Sequence, residues 1–314
     1  MSVRHLFAFT AMATTVAALA AWLAAVPVLA SSSSGEAVRP VYGVPSRFAS
    51  AAQGQDPGVG DPLPRIVCTE GFKVSVFASA LSSPGGLAFD PSGVLHVAEE
   101  KAGRVSRIDA GGGLTPVISG LDDPEGIAFD PAGNLYVVED VQNGRLLRVA
   151  PDGQQTVLAK GLDAPEGVVW SGDGHLYVTE SNVQFAESIP WDVVTGISRI
   201  SQTGERTEIL TDTLFWSYSG ISLGSDGFLY VANEASNVGT TDSIFRVDPS
   251  TGERTLFASD LTAPEGLHFS PGGSFPVYVT EEKLETGTGR LSLVRSDGVY
   301  EPLCTGFRVP EGVA

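Results

Sequence analysis

Two columns of glutamate recur through this chain. The first is the middle residue of a Pro-x-Gly tripeptide: Glu125, Glu166, Glu265 and Glu311, with Gly85 and Ser219 in the other two copies. The second stands one short hairpin later: Glu99, Glu139, Glu180, Asn233 and Glu281. Residues equidistant from a hairpin turn face each other, so Glu125 and Glu139 are expected to meet about Ala132, and Glu166 and Glu180 about Asp173. Facing like charges cost about 0.2–1 kcal/mol per pair. Such a cluster persists if a cation bridges it, if some groups hold protons, or if water screens it. Every donor is an oxygen, which suits calcium or magnesium better than zinc or copper. Glu125, Glu166, Glu265 and Glu311 are therefore candidate ligands of a divalent cation, calcium first. The plainer alternative is that Glu was copied with the repeat and caps strand ends in water.

Other chemistry is sparse. Beyond the N-terminal segment the histidines are His96, His175 and His268, in a strand, a turn and a strand. They form no nucleophile triad, and no Cys/His metal spacing, phosphate loop or nucleotide fingerprint occurs.

The elements that position the glutamates are short apolar runs punctuated by Pro, Gly, Asn and Asp, which read as strands and tight turns. The clearest unit is Leu121–Leu162. Its Pro-x-Gly recurs at Pro84, Pro124, Pro165, Tyr218, Pro264 and Pro310, at spacings of 40, 41, 53, 46 and 46 residues. A four-strand unit of about 40 residues is a propeller blade. Within each unit strand a follows the Gly, strand b is the Leu-Tyr-Val line, strand c carries an Arg, and strand d closes the sheet. The expected fold is all-β: a six-bladed propeller of four-stranded antiparallel blades spanning 67–314. Residues 72–80 form a lone strand placed where a strand d belongs, so it is expected to complete blade 6, whose strand a begins at 309–314. Strands b and c of that blade are missing, which points to a chain cut short, or else to an open ring.

The chain has 314 residues and a formal charge of -18, from 37 acidic and 19 basic side chains. That excludes the basic footprint of a nucleic-acid binder. Residues 1–30 open with Arg4 and His5, continue as an uncharged apolar run and end on small residues. They read as a secretory signal peptide, or as an uncleaved anchor, since the run is long enough to span a bilayer. Only in the second case is a membrane expected as a partner. Export to the periplasm or the exterior follows either way. Residues 31–66 read as a flexible linker. Export permits a disulfide. Cys68, however, should precede an outer strand and Cys304 should end its neighbour, which would hold them beyond a disulfide's reach.

Departures from the repeat mark the expected binding face. Blade 3 carries an insertion over 181–195, with Phe185 and Trp191; the next connection holds Trp216, and blade 5 inserts 283–288. Phe185, Trp191 and Trp216 are candidate substrate-contacting residues.

The unit from Pro124 to Asp140 resembles the NHL repeat, and the regucalcin/gluconolactonase and strictosidine-synthase-like six-bladed propellers. In the gluconolactonase family an axial divalent metal is held by Glu, Asn and Asp at the starts of inner strands. Glu166 to Trp170 is similar to that family's Glu-x-Pro-Val-Trp motif, and Glu265-Gly266-Leu267 stands where its Asn-Gly-Leu would be. The resemblance implies a metal-dependent lactone or ester hydrolase, with Glu180 or Glu139 as general base. The alternative is a non-catalytic binding propeller whose mouth recognises a sugar, peptide or protein. In either case the chain is expected to act as a monomer on a ligand at the channel mouth.

Overall fold

The computed structural model describes residues 4–8, 66–181, 194–213, 217–234, 242–270, 272–282 and 288–314. It is a propeller of five antiparallel blades. Blade 1 comprises strands a to d at Pro84–Phe89, Leu95–Glu99, Arg104–Ile108 and Leu114–Ser119. Blade 2 runs Pro124–Phe129, Leu135–Glu139, Gln142–Val149 and Gln155–Asp163, and blade 3 Pro165–Trp170, His175–Glu180, Val194–Ser201 and Arg206–Thr213. Blade 4 runs Ser217–Leu223, Leu229–Glu234, Ser243–Val247 and Arg254–Ser259. Blade 5 runs Pro264–Ser270, Ser274–Glu281, Gly289–Val294 and Tyr300–Phe307. Three further described strands precede the blades in the sequence: β1 (Arg4–Ala8), β2 (Val67–Cys68) and β3 (Ser75–Leu81).

Strand b is the core of each blade. In blade 2, Leu135, Tyr136, Val137 and Val138 are all 2% exposed or less, and each such burial contributes roughly 1.5–3 kcal/mol. A sheet buried on both faces reads as a continuous apolar run rather than an alternating one. Seams between blades are zipped by rings from strand b of one blade and strand a of the next. His96 meets Phe129 at 4.8 Å, Tyr136 stacks on Trp170 at 5.6 Å, and Tyr230 meets Phe269 edge-on at 5.0 Å.

Among the described residues the expected sixth blade is not formed. Its position holds an inner segment and an outer strand with no sheet between them. The inner segment is Pro310–Val313, which lies between blades 5 and 1: Gly266 packs on the Glu311 carbonyl, and Gly312 on that of Gly85. The outer strand is β3. Gly112, in the c–d turn of blade 1, packs on the Phe77 carbonyl of β3. Gly204, Gly252 and Gly298 do the same against strand d of blades 2, 3 and 4. β3 thus stands in the strand d position, with Ala78 and Leu81 packed among Leu95, Val97 and Ile108. It pairs with β1 rather than with a blade.

The two cysteines are joined, contrary to the strand-geometry expectation. The reason is β2, which adds a fifth strand to blade 5 and sets Cys68 directly opposite Cys304 in the register. Among the described residues, no helix is long and apolar enough to cross a membrane.

Candidate functional site

The Pro-x-Gly tripeptide is a β-bulge. In every blade the a–b register shifts by one residue across it: Pro124 pairs with Glu139, but Ile127 with Val137. The same shift occurs at Pro84, Pro165, Tyr218 and Pro264. A one-residue shift reverses which face a side chain takes. The bulge therefore separates the two glutamate columns that simple counting brings together.

The first column lines the axis. Glu125, Glu166, Ser219, Glu265 and Glu311 rim a cavity of about 80 Å³. Below them lies a ring of glycines, among them Gly86, Gly126, Gly167 and Gly220, where inner strands meet backbone to backbone. A Cβ on Gly126 would stand 2.3 Å from the Glu166 carbonyl oxygen, and one on Gly220 2.2 Å from that of Glu265. Beneath the glycines, Leu87, Ile127, Val168, Ile221, Leu267 and Val313 make an aliphatic floor. In blade 1, where the column has Gly85, the space is filled by the Glu125 carboxyl, which a Cβ there would meet at 2.6 Å.

These glutamates are half-buried where they line the cavity. Burial first, then the charges of Glu311, Glu100, Asp140 and Glu166, pushes the Glu125 carboxyl well above the ordinary glutamate range. Burial, with Asp140, Glu234 and Glu311, does the same to Glu166, against a smaller opposing hydrogen bond from Ser181. Glu265 is raised by burial, by the charges of Glu234, Glu166 and Glu311, and by a hydrogen bond it shares with Glu234. Glu234 is raised by burial and by Asp242, while that hydrogen bond opposes the rise.

These neighbours form a third column that the sequence reading missed: Glu100, Asp140, Ser181, Glu234 and Glu282, each one residue past the end of the strand b column. Glu234, Glu265 and Glu282 bring one oxygen each within 4.8 Å of one another. The signal was one alignment position away. Only the bulge shows that the residue after the strand b glutamate, rather than that glutamate itself, belongs with the axis.

The strand b column does not reach the mouth. Glu139 is 1% exposed and takes two hydrogen bonds from Arg145, at 2.5 Å each, plus the Asp122 N–H at 3.0 Å. Glu180 accepts from Arg206 at 2.7 and 2.9 Å, from Ser198 at 2.5 Å and from the Asp163 N–H at 2.9 Å. Glu99 pairs with Arg104 and Glu281 with Arg290. Burial would raise Glu99, but hydrogen bonds from Arg104, Ser106 and the Ser82 N–H outweigh it and hold the group below its usual value. In blades 1, 2, 3 and 5 these glutamates tie the backbone just before strand a to strand b and to an arginine of strand c or, in blade 3, strand d. Blade 4 departs from the pattern. Asn233 replaces the glutamate, and Arg254 instead joins Asp212 and the Tyr218 hydroxyl.

Phe185, Trp191 and Trp216 lie outside the described residues. No histidine lines the cavity among the described residues. His96 is buried at the seam with Phe129, its Nδ1 3.1 Å from the Val94 carbonyl, and burial lowers its proton affinity.

No family model matches the chain by sequence, and no curated protein does. Solved structures do match in fold. A gluconolactonase from Xanthomonas campestris aligns over 74% of this chain and 79% of its own, at 19% identity and a TM-score of 0.61. A structure described as a putative gluconolactonase aligns over 78% and 86%, at 16% identity and a TM-score of 0.60. Virginiamycin B lyase from Staphylococcus aureus aligns over 79% and 80%, at 21% identity and a TM-score of 0.55. The class these comparisons define is the β-propeller shared by gluconolactonases and streptogramin lyases.

Proposed function

We propose that this chain is an exported, divalent-cation-dependent hydrolase of lactones or esters, working at the axial cup. One observation carries the reading. Glu125, Glu166 and Glu265 stand over an aliphatic floor with their carboxyls all pushed up by burial and by one another. Such a set is neutralised either by protons or by a hard cation, and its donors are all oxygen. The oxygen donors suit calcium or magnesium in type, and among the described residues those that approach within 4.8 Å of one another are on Glu234, Glu265 and Glu282. Glu125, Glu166, Glu265 and Glu311 would hold the ion, calcium first. When bound, the ion would polarise a carbonyl and lower the pKa of a water.

The chain's own residues do the rest. The side chains of Leu87, Ile127, Val168, Ile221, Leu267 and Val313 give the cavity an apolar lining beside the carboxyls. Glu234 stands beside Glu265, with one oxygen of each within 4.8 Å of the other and of Glu282, which places it to take a proton from water at the cup. The general base therefore moves to Glu234 from Glu139 and Glu180, whose oxygens are engaged by Arg145 and Arg206. The likeness to a gluconolactonase supports lactones as the first substrates to try. Export is supported by the uncharged run from Leu6 to Leu29 and by the disulfide, which suits an oxidising compartment. A membrane-anchored form follows if the N-terminal segment is retained.

The test is hydrolysis of a lactone and aryl-ester panel by chelator-treated protein, before and after calcium is restored. Turnover that returns with calcium and is lost in Glu166→Gln supports the enzyme. No turnover with calcium, magnesium, manganese or zinc overturns it. One observation favours a second reading, in which the mouth recognises a sugar or peptide. A cavity of about 80 Å³ holds an ion and its waters rather than a substrate. The same assay separates the two.

A further inference from the structure

The sixth axial segment is held differently from the other five. Blades 1 to 5 each pair the head of strand a with their own strand b. Pro310–Gly312 is in no strand, so its supports come from neighbouring blades. The Thr280 hydroxyl donates to the Glu311 carbonyl, the Pro310 ring covers Gly289, and Gly266 and Gly86 pack on its backbone. Val313 then anchors the far end, in a cluster with Leu303, Phe307, Phe72, Val74 and both cysteines.

That cluster depends on how residues 66–74 are fixed to blade 5. β2 is only two residues long, and its ladder is continued by one bond, from the Thr69 N–H to the Leu303 carbonyl at 2.8 Å. So short a strand holds poorly to a sheet edge by hydrogen bonds alone. The disulfide fixes it, closing a sequence separation of 236 residues, a span over which a cross-link removes much chain entropy.

We propose that Cys68–Cys304 is a positioning bond for the axial cup. It clasps residues 66–74 onto the cluster of Leu291, Leu303, Cys304 and Phe307, against which Val313 also packs, and so keeps Glu311 on the axis. The link to function rests on the reading of the cup as a cation site. A dithiol opens the clasp by exchange. Its thiolate attacks the sulfur of Cys68, the partly exposed partner, and Cys304, 0% exposed, leaves as thiolate and takes up a proton. The second thiol of the reductant then displaces Cys68. Two electrons pass to the protein, two cysteine thiols form, and the reductant leaves as a cyclic disulfide. With the clasp open, residues 66–74 loosen, the cluster that Val313 packs against loses its outer cover and Glu311 leaves the ring. The five blades keep their own sheets.

The experiment compares the full chain oxidised, reduced with dithiothreitol and reoxidised, by calcium calorimetry and by hydrogen exchange read peptide by peptide. The expected result is at least tenfold weaker calcium binding after reduction, restored on reoxidation. Exchange should rise over 66–74 and 309–314 and stay unchanged over strand b of blades 2 to 4. Equal affinity in both redox states, with unchanged exchange over 309–314, overturns the proposal. So does a rise in exchange across all blades, which makes the bond a general staple. If the oxidised chain binds no calcium, the cation reading fails, and exchange over 309–314 alone decides the clasp. Cys68→Ser with Cys304→Ser should reproduce the reduced state; if that variant does not fold, reduction of the folded wild type decides.

Discussion

Glu166 and Glu180 belong to one hairpin and have opposite surroundings. Glu180 sits among donors: two bonds from Arg206, one from Ser198 and one from a backbone N–H. Glu166 sits among acids, with Asp140, Glu234 and Glu311 raising its proton affinity on top of burial. The contrast recurs in blades 2 and 5, with Glu125 against Glu139 and Glu265 against Glu281. Residue type does not distinguish the columns, and neither does closeness to a strand end. A bulge of one residue does, because it turns one column toward the axis and leaves the other beside the arginines. Each staple glutamate finds its arginine within its own blade. The axial glutamates Glu125, Glu166 and Glu265 crowd one another instead, and a proton or a cation would relieve them.

The largest expected effect comes from attacking the bulge. Gly126→Ala puts a Cβ 2.3 Å from the Glu166 carbonyl, backbone that cannot swing aside. It should cost about 3 kcal/mol in chemical denaturation, and it should disturb cation binding along with stability. A change of similar kind at Gly153, which has nothing within 4 Å but a φ of +85°, would show only backbone strain of roughly 1 kcal/mol.

The staple column should break next. Arg145→Ala leaves Glu139, 1% exposed, as a buried carboxylate without its cation. Because Arg145 is itself partly exposed, the loss should fall near or below the lower end for a broken buried pair, about 2–3 kcal/mol. Arg145→Ala with Glu139→Gln should recover part of that loss. If the double variant is no more stable than Arg145→Ala, the staple account of this column is wrong.

The axial column should respond with the opposite sign. In chelator, Glu166→Gln removes one of several facing charges and should stabilise the chain near neutral pH by about 1 kcal/mol. A measured loss of stability of that size would contradict the crowding of charge at the cup.

The smallest effect is the slope of stability with pH, and here the columns should again part. Glu125, Glu166 and Glu265 have proton affinities raised above the ordinary value of 4.5. The folded chain therefore binds more protons than the unfolded one between that value and the raised ones. The stability they contribute is complete below about 4.5 and is lost as pH rises through the raised values. Glu99 is lowered instead, so its contribution is present above 4.5 and is lost as pH falls through its folded value. Thermal unfolding in chelator should show Glu166→Gln flattening the loss on the alkaline side. Arg104→Ala should instead flatten the loss on the acid side.

Much of this was legible in the sequence. The Leu-Tyr-Val line marked every strand b, the Pro-x-Gly spacing marked every strand a, and the axial column of Glu125, Glu166, Glu265 and Glu311 was found from repeat alignment alone. The pairing of columns was not legible, because counting residues from a turn assumes an unbroken ladder, and the bulge breaks it in all five blades. The third column was hidden for the same reason: Asp140 and Glu234 look like loop residues until the shift is known. The blade count was overestimated because Pro310-Glu311-Gly312 does stand at the sixth axial position, but without a sheet behind it. The Cys68–Cys304 bond was hidden by β2, two residues too short to stand out as a strand.

The central claim is that the axial glutamates, and not the strand b glutamates, form a cation site. The direct measurement is a calorimetric titration of calcium into chelator-treated protein, run in two buffers of different ionisation enthalpy so that proton release is counted. Binding at one site, with protons released as the carboxyls give them up and affinity reduced at least tenfold in Glu166→Gln and Glu265→Gln, is the predicted result. No binding of calcium, or of magnesium, manganese or zinc in its place, would contradict it and leave the cup neutralised by protons alone.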